Sequence, residues 1–432
     1  MDSLSFWRRA WSASWLSGLF IVLYGACNNF VSIQNRAQVI RFHWETSIPF
    51  IAWMIIPYMS LDLFFVLAPL LAKTKKEIRL IENRIGLSIL LSCLGFFVVP
   101  LKCISAKPEV SGAVGWVFSN FLQMDKPYNQ LPSLHIVLSI LLCDFYMTKS
   151  KGLLRGAIAI WFSFIAASTL LTFQHHFVDV LGGALVGLFF LYLFPNSKHR
   201  WQLSRMRIGL LYGLGGMSLA LVGVILKGWG YLLLWPALNG VFLFFAYYYS
   251  TAKIFPKHVK HFKFLYEVLL FPLIVMHRLS HLYYSGRSPA WNKLTDNVWI
   301  GRLLFNSEAN AIKEAGVGAV VDLSGELSEN PHFSGLPYLN MPILDLTAPD
   351  PQLVKEAIAF IETHSKDTTV YIHCKAGYSR TAALAGCWLL ETGRSTEADH
   401  AIKLMQEVRP NLVIRPEAEH LIRNWNLQNP IR

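Results

Sequence analysis

The sequence predicts a bundle of about eight membrane-spanning α-helices followed by a soluble α/β domain. The chain has 432 residues, of which 53% are hydrophobic and only 15% are charged, a composition too apolar for a wholly soluble protein. Between about residues 13 and 250, apolar runs of roughly 18–24 residues recur, each long enough to cross a bilayer core of ~30 Å. From residue 291 onward, charged residues occur throughout. We therefore expect a membrane domain over 1–250, a linker over 251–290 and a soluble domain over 291–432.

The predicted spans cover residues 13–33, 49–72, 85–104, 131–148, 154–172, 176–194, 207–226 and 228–250. The loops on one side of these spans carry 18 basic residues, namely Arg8, Arg9, Lys73, Lys75, Lys76, Arg79, Arg84, Lys149, Lys151, Arg155, Lys198, Arg200, Arg205, Arg207, Lys253, Lys257, Lys260 and Lys263. The loops on the other side carry 6, namely Arg36, Arg41, Lys102, Lys107, Lys126 and Lys227. Because basic loops stay in the cytoplasm, both termini should be cytoplasmic.

The first apolar run lacks a cleavage site of the A-x-A type, so we interpret it as an anchor and not as a removable signal. The net charge of +12 reflects this topology and indicates no nucleic-acid partner. The six cysteines are Cys27, Cys93, Cys103, Cys143, Cys374 and Cys387. None forms a C-x2-C pair, so the cysteines indicate neither a zinc site nor a disulfide framework.

Residues 373–381 read His-Cys-Lys-Ala-Gly-Tyr-Ser-Arg-Thr and lie between a predicted strand and a predicted helix. The five residues between Cys374 and Arg380, Gly377 among them, suffice for a tight loop whose backbone N–H groups converge on one point. Such a loop at a helix N-terminus binds a dianion and favours thiolate over thiol. The guanidinium of Arg380 offers a planar pair of donors to two phosphate oxygens.

This stretch resembles the C-x5-R loop of the cysteine phosphatases, which include protein tyrosine and dual-specificity enzymes. The resemblance covers about residues 295–428 and implies that Cys374 is the nucleophile and that Arg380 binds phosphate. The proton donor of that family is an aspartate some 25–40 residues before the cysteine. Asp345 fits this position best, and Asp350 is the alternative, for which a helix cap ahead of Pro351 is the structural interpretation.

The same resemblance implies roles for the residues around the nucleophile. We expect the phosphate-binding loop to comprise Lys375, Ala376, Gly377, Tyr378, Ser379 and Thr381. His373 would support the loop and lower the pKa of Cys374, and Thr381 would donate a hydrogen bond to the thiolate. Lys375 favours a strongly anionic substrate, and Cys-Lys-Ala-Gly resembles the loops of lipid-directed members that act on phosphoinositides or phosphatidylglycerophosphate.

Strands and helices alternate in the soluble half, which predicts helices packed on a central sheet. The predicted strands cover residues 297–301, 317–323, 338–343 and 369–373. The predicted helices cover residues 306–315, 351–364, 381–392, 396–408 and 416–426.

A second group of ionisable residues lies at the ends of predicted spans, where charge is costly and needs a reason. Pro132-Ser133-Leu134-His135 begins the fourth span, and His175, His176 and Asp179 begin the sixth. Lys102 and Lys107 lie where the third span ends. His175 and Asp179 are four residues apart on one helical face, so the carboxylate can orient the imidazole. The predicted topology assigns all of them to the exoplasmic side.

This arrangement resembles the type 2 phosphatidic acid phosphatase superfamily, related to the vanadium haloperoxidases, over about residues 50–195. The resemblance implies that His175 attacks phosphorus, that Asp179 orients it, and that His135 protonates the leaving alcohol. Leu134 replaces the usual glycine, and Thr169 stands where an arginine is usual. These departures resemble the lipid phosphotransferase branch, the inositol phosphorylceramide and sphingomyelin synthases.

Structural alternatives exist for this second group. His176 reads as an interfacial histidine, and Lys102 and Lys107 as phosphate ligands or as lysines that extend to the membrane surface. His135, His175 and Asp179 are either catalytic or an inactive helix-capping network. The sequence as a whole resembles a bacterial-type fusion of the two phosphatase families.

The linker mixes basic and aromatic residues around one apolar stretch, 264–276. We interpret this stretch as an interfacial helix that meets an anionic membrane surface, and a solvated basic linker is the alternative.

Together these observations predict a phosphatase of the bacterial inner membrane that hydrolyses a phosphorylated lipid, or a phosphoprotein, through a phospho-cysteine and without a cofactor. The alternatives are an exoplasmic headgroup transferase with an ancillary protein phosphatase domain, and a sensor that binds phosphate without turnover.

Overall fold

The computed structural model describes residues 4–34, 36–124, 127–196, 204–252, 255 and 263–428. Of the basic residues used to predict orientation, Lys126, Lys198, Arg200, Lys253, Lys257 and Lys260 lie outside the described residues. The chain divides into two compact units, Met1–Gln202 with Leu214–Ala237, and Leu203–Gly213 with Leu238–Arg432.

The first unit consists of helices. They are α1 (Phe6–Gln34), α2 (Ile55–Leu70), α3 (Lys75–Val98), α4 (Gly112–Met124), α5 (Leu134–Lys149), α6 (Gly152–Leu171) and α7 (Phe177–Leu193). Helices α8 (Ser204–Leu226) and α9 (Leu234–Tyr249) contribute residues to both units. Within the described residues, six helical segments are long and apolar enough to cross a membrane, namely Phe6–Gln34, Ala52–Leu70, Lys75–Val98, Gly152–Leu171, Arg205–Leu226 and Gly228–Tyr249.

The prediction of a helical part with several long apolar helices is therefore confirmed, whereas the crossing of a membrane and the number of about eight spans stay predictions. The spans predicted at 131–148 and 176–194 correspond to the shorter helices α5 and α7. Helix α4 was not predicted, because a helix of 13 residues is too short to stand out as a span.

Helix α3 begins ten residues earlier than the span predicted from residue 85, because Thr74 caps it by accepting a hydrogen bond from the Glu77 amide at 3.2 Å. Arg84 therefore lies inside the helix and not in a loop. It is buried and donates to Asp144 at 2.6 Å, so its charge is neutralised within the unit and is a weak guide to orientation.

Helix α5 lies at the centre of this unit, where it packs against α2, α3, α6 and α7. Its buried residues occur on all sides, as expected of a central helix. Three glycines of α7, Gly182, Gly183 and Gly187, face the segment 131–140, which includes the first half of α5, and let the two helices approach closely. This approach brings the first turns of α5 and α7 together, and these turns carry His135 and Asp179.

The second unit contains a five-stranded sheet with the order β1-β2-β5-β3-β4, in which only β1 is antiparallel to its neighbour. The strands are β1 (Trp291–Lys293), β2 (Val298–Arg302), β3 (Val317–Ser324), β4 (Tyr338–Ile343) and β5 (Thr369–Cys374). The helices that follow α9 are α10 (Lys263–Leu269), α11 (Phe271–Ser285), α12 (Asn306–Glu314), α13 (Pro351–His364), α14 (Ser379–Glu391), α15 (Ala398–Val408) and α16 (Pro416–Gln428). The predicted α/β architecture is confirmed, and β1 was missed because it has three residues.

Strand β5 is central in the sheet, and its last five residues are fully buried. A parallel strand covered on both faces reads as a continuous apolar run, which is why residues 369–372 were recognisable in the sequence. Because β2, β5 and β3 run parallel, the end of β5 lies at the carboxyl edge of the sheet, where ligands bind in open α/β folds.

The apolar stretch predicted as one interfacial helix at 264–276 corresponds to two helices, α10 and α11. Helix α11 extends to Ser285, beyond the predicted end, and buries Leu273, His277 and His281, which follow one another at intervals of four residues. This spacing defines one face of the helix. That face contacts the residues around Cys374, as described next.

Candidate active site

Cys374 is the last residue of β5, and the loop that follows it leads directly into α14. The side chain of Cys374 is buried but lines a cavity of about 200 Å³ together with Asp345, Lys375 and Arg380. Two other segments also line this cavity, one through Tyr284 and the other through Val413 and Arg415. Gly377 has φ +70°, a left-handed conformation that favours glycine. The sequence between strand and helix therefore folds as predicted, into a tight loop at a helix N-terminus.

The surroundings of Cys374 favour its thiolate. Burial opposes ionisation, but the positive charge of Arg380, the hydroxyl of Thr381 and the backbone amides of Thr381 and Tyr378 outweigh it and lower the pKa of Cys374. The other cysteine of this unit, Cys387, lies in the core, where burial raises its pKa. The two thiols thus differ in reactivity because of their surroundings.

Arg380 is held in a fixed orientation by Glu326. Both terminal nitrogens of Arg380 donate to this carboxylate at 2.9 Å, and one of them also donates to the carbonyl of Ile343 at 2.8 Å. Both side chains are almost fully buried. Glu326 was not predicted, because it lies 54 residues before Arg380 and no local pattern marks it.

Asp345 lies beside the two cations of the loop. Its carboxylate accepts from Lys375 Nζ at 2.7 Å and lies 3.2 Å from Arg380 Nη2. Although burial opposes it, the charges of Arg380 and Lys375 hold the pKa of Asp345 well below its usual range. The alternative candidate, Asp350, caps α13 by accepting from the Gln352 amide at 2.8 Å. Of the two aspartates, Asp345 therefore lines the cavity with Cys374, whereas Asp350 caps a helix.

His373 is buried beneath the loop, where its Nε2 lies 2.7 Å from Glu329 and its Nδ1 lies 4.0 Å from Asp322. The ligand atoms of these three residues lie within 4.8 Å of one another, close enough to hold a metal ion. However, Asp322 Oδ1 already accepts from the amide and the hydroxyl of Ser324, both at 2.7 Å. The group is best described as a hydrogen-bonded support for the end of β5.

Arg409, which was also not predicted, fixes the loop from below. It is fully buried and donates to the carbonyl of Gly377 at 3.1 Å and to Asn292 at 2.6 Å. The Ser379 hydroxyl accepts from the Arg415 amide at 3.2 Å, which agrees with its expected role as a loop residue. Ala376 and Tyr378 line the cavity.

Helix α11 contributes three further side chains that the sequence did not reveal. His277 Nδ1 lies 3.3 Å from Lys375 Nζ, and His281 Nδ1 lies 3.3 Å from the Lys375 carbonyl oxygen. Tyr284 lines the cavity and packs edge-on against Tyr378, with ring centroids 5.7 Å apart. Lys375 is thus buried and bonded within the protein, and it also lines the cavity, where the sequence predicts that it favours a strongly anionic substrate.

In the helical unit, the predicted residues of the second site lie together. His175 Nδ1 is 3.7 Å from Asp179 Oδ2, and the rings of His135 and His175 have centroids 6.4 Å apart. With its amide nitrogen turned toward the pair, Gln130 donates to His175 Nδ1 at 3.0 Å and to Asp179 Oδ2 at 3.1 Å. Tyr58 stacks on His135 at 3.9 Å. Gln130 and Tyr58 were not predicted.

The residues at the edge of this second site have mixed roles. His176 Nδ1 lies 3.1 Å from the buried carboxylate of Glu45, which suits a structural histidine. Lys107 Nζ donates to Oε1 of Gln174 at 2.8 Å, and Gln174 directly precedes His175 in the chain. Lys102 is half-buried, and its backbone amide donates to the Gln38 carbonyl at 2.9 Å. Lys107 is therefore the better placed of the two lysines.

Thr169, which stands where the resemblance expects arginine, supports the loop before α7. Its carbonyl oxygen accepts from the amides of Gln174 and His175 at 3.1 Å and 3.0 Å. Its hydroxyl donates to the Ala166 carbonyl at 2.7 Å. The backbone at this position thus holds the histidine, and the threonine side chain supplies no positive charge for phosphate.

Comparisons with known proteins match two parts of the chain to two different families. Residues 303–428 match the family model of the dual specificity phosphatase catalytic domain, and residues 42–193 match that of the PAP2 superfamily. The chain therefore carries both domains, and the two predicted resemblances and the predicted enzyme class, a phosphatase, are confirmed.

Individual relatives match parts of the chain. It is 33% identical over 125 residues to tyrosine-protein phosphatase CDC14 of Saccharomyces cerevisiae, covering 28% of this chain and 22% of that protein. It is 25% identical over 173 residues to phosphatidylglycerophosphate phosphatase PTPMT2 of Arabidopsis thaliana, covering 38% of this chain and 75% of that protein. The match to the crystal structure of human DUSP28 has 18% sequence identity and a TM-score of 0.29, and it covers 32% of this chain and 95% of that one. The chain thus spans about a fifth of the length of CDC14.

Proposed function

Because the chain carries a dual specificity phosphatase domain and a PAP2 superfamily domain, we propose that it is a membrane-anchored phosphatase that hydrolyses phosphate monoesters through a phospho-cysteine at Cys374. The observation that carries this proposal is the lowered pKa of a cysteine whose side chain lines a cavity beside Arg380 and Asp345. A thiolate, a guanidinium and a carboxylate in one cavity supply the nucleophile, the phosphate ligand and the acid that this reaction needs.

In the first step, the sulfur of Cys374 attacks phosphorus while the bond from phosphorus to the ester oxygen breaks. Asp345 donates a proton to the departing oxygen, and Arg380 and the loop amides hold the phosphoryl oxygens. In the second step, water attacks the phospho-cysteine, and Asp345 accepts a proton from it. The P–S bond breaks, and the hydroxyl of Thr381 stabilises the thiolate that is released.

We propose a phosphorylated lipid as the substrate and a phosphoprotein as the alternative. Several helices of the chain are apolar enough to lie in a membrane, which would bring the cavity close to lipid headgroups. PTPMT2, which the chain resembles, is named as a phosphatidylglycerophosphate phosphatase, whereas CDC14 is named as a tyrosine-protein phosphatase. The basic, partly apolar segment before the catalytic domain favours an anionic membrane surface as the partner.

The proposal is tested on the full chain in detergent micelles with 4-nitrophenyl phosphate. Cys374→Ser should abolish turnover, because a serine hydroxyl stays protonated at neutral pH where the thiolate forms. Rapid quenching with a radiolabelled phosphomonoester should trap label on the wild-type protein but not on the variant. The matched control is Cys387→Ala, which removes the buried core thiol and should leave both turnover and trapping intact. Equal turnover by wild type and Cys374→Ser would refute the mechanism.

A second activity is favoured by the cluster of His135, His175 and Asp179 in the PAP2 domain. We propose that His175 takes a phosphoryl or phospho-headgroup from a lipid, that Asp179 orients its ring, and that His135 protonates the leaving alcohol. The absence of an arginine at position 169 favours headgroup transfer over simple hydrolysis. We place this site on the exoplasmic side, with both termini in the cytoplasm of a bacterial cell and the chain in its inner membrane.

The two activities are separated by substitution in isolated membranes supplied with a labelled phosphodiester lipid, which carries no phosphate monoester for the cysteine site to hydrolyse. His175→Ala should abolish conversion at the second site and leave 4-nitrophenyl phosphate hydrolysis unchanged. Cys374→Ser should do the reverse. Loss of lipid conversion only in Cys374→Ser would assign all activity to the cysteine site.

A further inference from the structure

Helix α11 lies outside the residues that match the phosphatase family, since that match begins at residue 303. Nevertheless it places two buried histidines, His277 and His281, against the residue that follows the nucleophile. Both side chains are more than nine-tenths buried, and burying a polar ring is costly unless it makes a hydrogen bond that matters. The position of these histidines therefore calls for a function.

The contact between His277 and Lys375 has a defined direction. An ammonium group can only donate hydrogen bonds, so Nδ1 of His277 at 3.3 Å must accept. The ring is then neutral, with its proton on Nε2. Burial and the charge of Lys375 lower the pKa of His277 to about 4, which keeps the ring neutral at physiological pH. Glu326, Asp345 and Arg380 are the other charged groups that act on it.

Lys375 connects this histidine to the acid. Its Nζ donates to Asp345 Oδ2 at 2.7 Å on one side and lies 3.3 Å from His277 on the other. A lysine side chain is long and mobile, and two acceptors fix it far better than one. Without the histidine, the ammonium group would be buried with one acceptor fewer, and it would shift from Asp345 toward Glu326, whose Oε1 lies 4.0 Å away.

His281 fixes the backbone at the same residue. The carbonyl oxygen of Lys375 accepts from His281 Nδ1 at 3.3 Å, and the neighbouring carbonyl of Cys374 accepts from the Leu303 amide at 2.9 Å. The ring of His281 also packs on Phe305, with centroids 4.9 Å apart. Helix α11 is thus attached to the loop by both the backbone and the side chain of Lys375.

We propose that His277 is a positioning residue of the phosphatase reaction: it holds Lys375, and through Lys375 it holds the carboxylate of Asp345 where a proton can be delivered to the leaving alkoxide. This inference rests on the proposed function of Cys374. It extends the active site beyond the matched domain, to a helix that precedes it.

This role has a consequence that a merely structural role lacks. A leaving alkoxide needs a proton from Asp345, whereas 4-nitrophenolate is stable enough to leave without one. Disturbing the acid should therefore slow the cleavage of an alkyl phosphate more than that of an activated aryl phosphate. General structural damage would slow both substrates by the same factor.

The test uses the full chain in micelles and compares kcat/KM for benzyl phosphate with kcat/KM for 4-nitrophenyl phosphate. His277→Leu removes the acceptor and should lower kcat/KM about tenfold for benzyl phosphate and less than about twofold for 4-nitrophenyl phosphate. His277→Asn keeps a polar atom near the Nδ1 position and should restore most of the loss. His420→Leu, at an exposed position on α16, is the matched control and should change neither constant.

The measured kcat/KM values for benzyl phosphate and 4-nitrophenyl phosphate both scale with the amount of active enzyme. Partial misfolding therefore does not change their ratio. Asp345→Asn provides the reference, because it should shift the ratio in the same direction and further. If His277→Leu leaves too little activity to measure, the same ratio is measured for His277→Gln. The polar atoms of glutamine lie nearer the Nε2 position, so this variant also lacks the acceptor at Nδ1. An unchanged ratio in these variants would overturn the positioning role. Activity that survives in Cys374→Ser would instead overturn the proposed function.

Discussion

Gly377 and Gly393 have the same backbone conformation, but other atoms surround only Gly377 closely. Both have φ +70°, and they lie just before and just after the same helix, α14. A Cβ at Gly377 would lie 2.6 Å from the carbonyl carbon of Gly301 and 2.8 Å from the Arg302 amide nitrogen. A Cβ at Gly393 would meet nothing within 4 Å.

Alanine at either position costs about 1–2 kcal/mol for a left-handed conformation. At Gly377 there is a further cost, since ordinary contact begins at 3.4 Å and the loop must move by 3.4 − 2.6 = 0.8 Å against the backbone of β2. Overpacking of this kind costs about 1–3 kcal/mol more. A displacement of about 1 Å also misaligns the groups around the nucleophile and can reduce the rate about a hundredfold.

We therefore expect Gly377→Ala to lower kcat/KM for 4-nitrophenyl phosphate about a hundredfold, and Gly393→Ala to lower it less than twofold. Thermal unfolding of the full chain in micelles should show destabilisation in both variants, greater for Gly377→Ala. Activity of Gly377→Ala within about threefold of wild type would refute the argument that the loop is fixed against β2.

Two further predictions concern the charge and the support of the loop. Cys374 should react with iodoacetamide at pH values well below those needed by an ordinary thiol, because its lowered pKa leaves thiolate present there, and Arg380→Met should move the midpoint of this reaction to higher pH. Labelled peptides measured by mass spectrometry provide the readout, with the buried Cys387 as the unreactive internal control. Arg409→Met should destabilise the chain by about 3 kcal/mol or more, because it leaves the buried carbonyl of Gly377 and the buried hydroxyl of Ser288 without their donor. Arg423→Met, at an exposed ion pair on α16, should unfold close to the wild-type temperature.

The fold was predictable where the signal is local and repeated. Apolar runs of about 20 residues marked helices such as α1 and α6, and the buried parallel strand β5 reads as a continuous apolar run. Short elements gave no such signal. Strand β1, with three residues, owes its place to pairing with β2, and helix α4, with 13 residues, falls below the length of a span.

The site was predictable where its residues are close in the chain. Cys374, Gly377 and Arg380 belong to one loop, and the spacing of His175 and Asp179 places them on one helical face. Glu326, Arg409 and His277 come from distant segments, and they act because the fold brings them to that loop. A glutamate or a histidine in isolation carries no sign of such a role, since its partner is chosen by tertiary packing.

The charges around Cys374 lead to a final prediction about how Asp345 becomes an acid. In the free site, the pKa values of Cys374, Asp345 and Glu326 are all lowered, so three anions face the two cations Arg380 and Lys375. The sum of these charges is −3 + 2 = −1. A phosphate dianion that enters would change this sum to −3 and would also compete with Asp345 for Arg380, while Lys375 keeps its bond to Asp345.

The weaker contact with Arg380 and the arrival of negative charge both raise the pKa of Asp345. Binding should therefore be coupled to uptake of about one proton, which makes the carboxyl group able to protonate the leaving oxygen. Calorimetric titration of the full chain with inorganic phosphate, in buffers of different ionisation enthalpy, measures this uptake. Asp345→Asn should bind phosphate with no more than a small uptake. If the variant takes up as many protons as the wild type, the proton resides on another group, and Asp345 is not the acid.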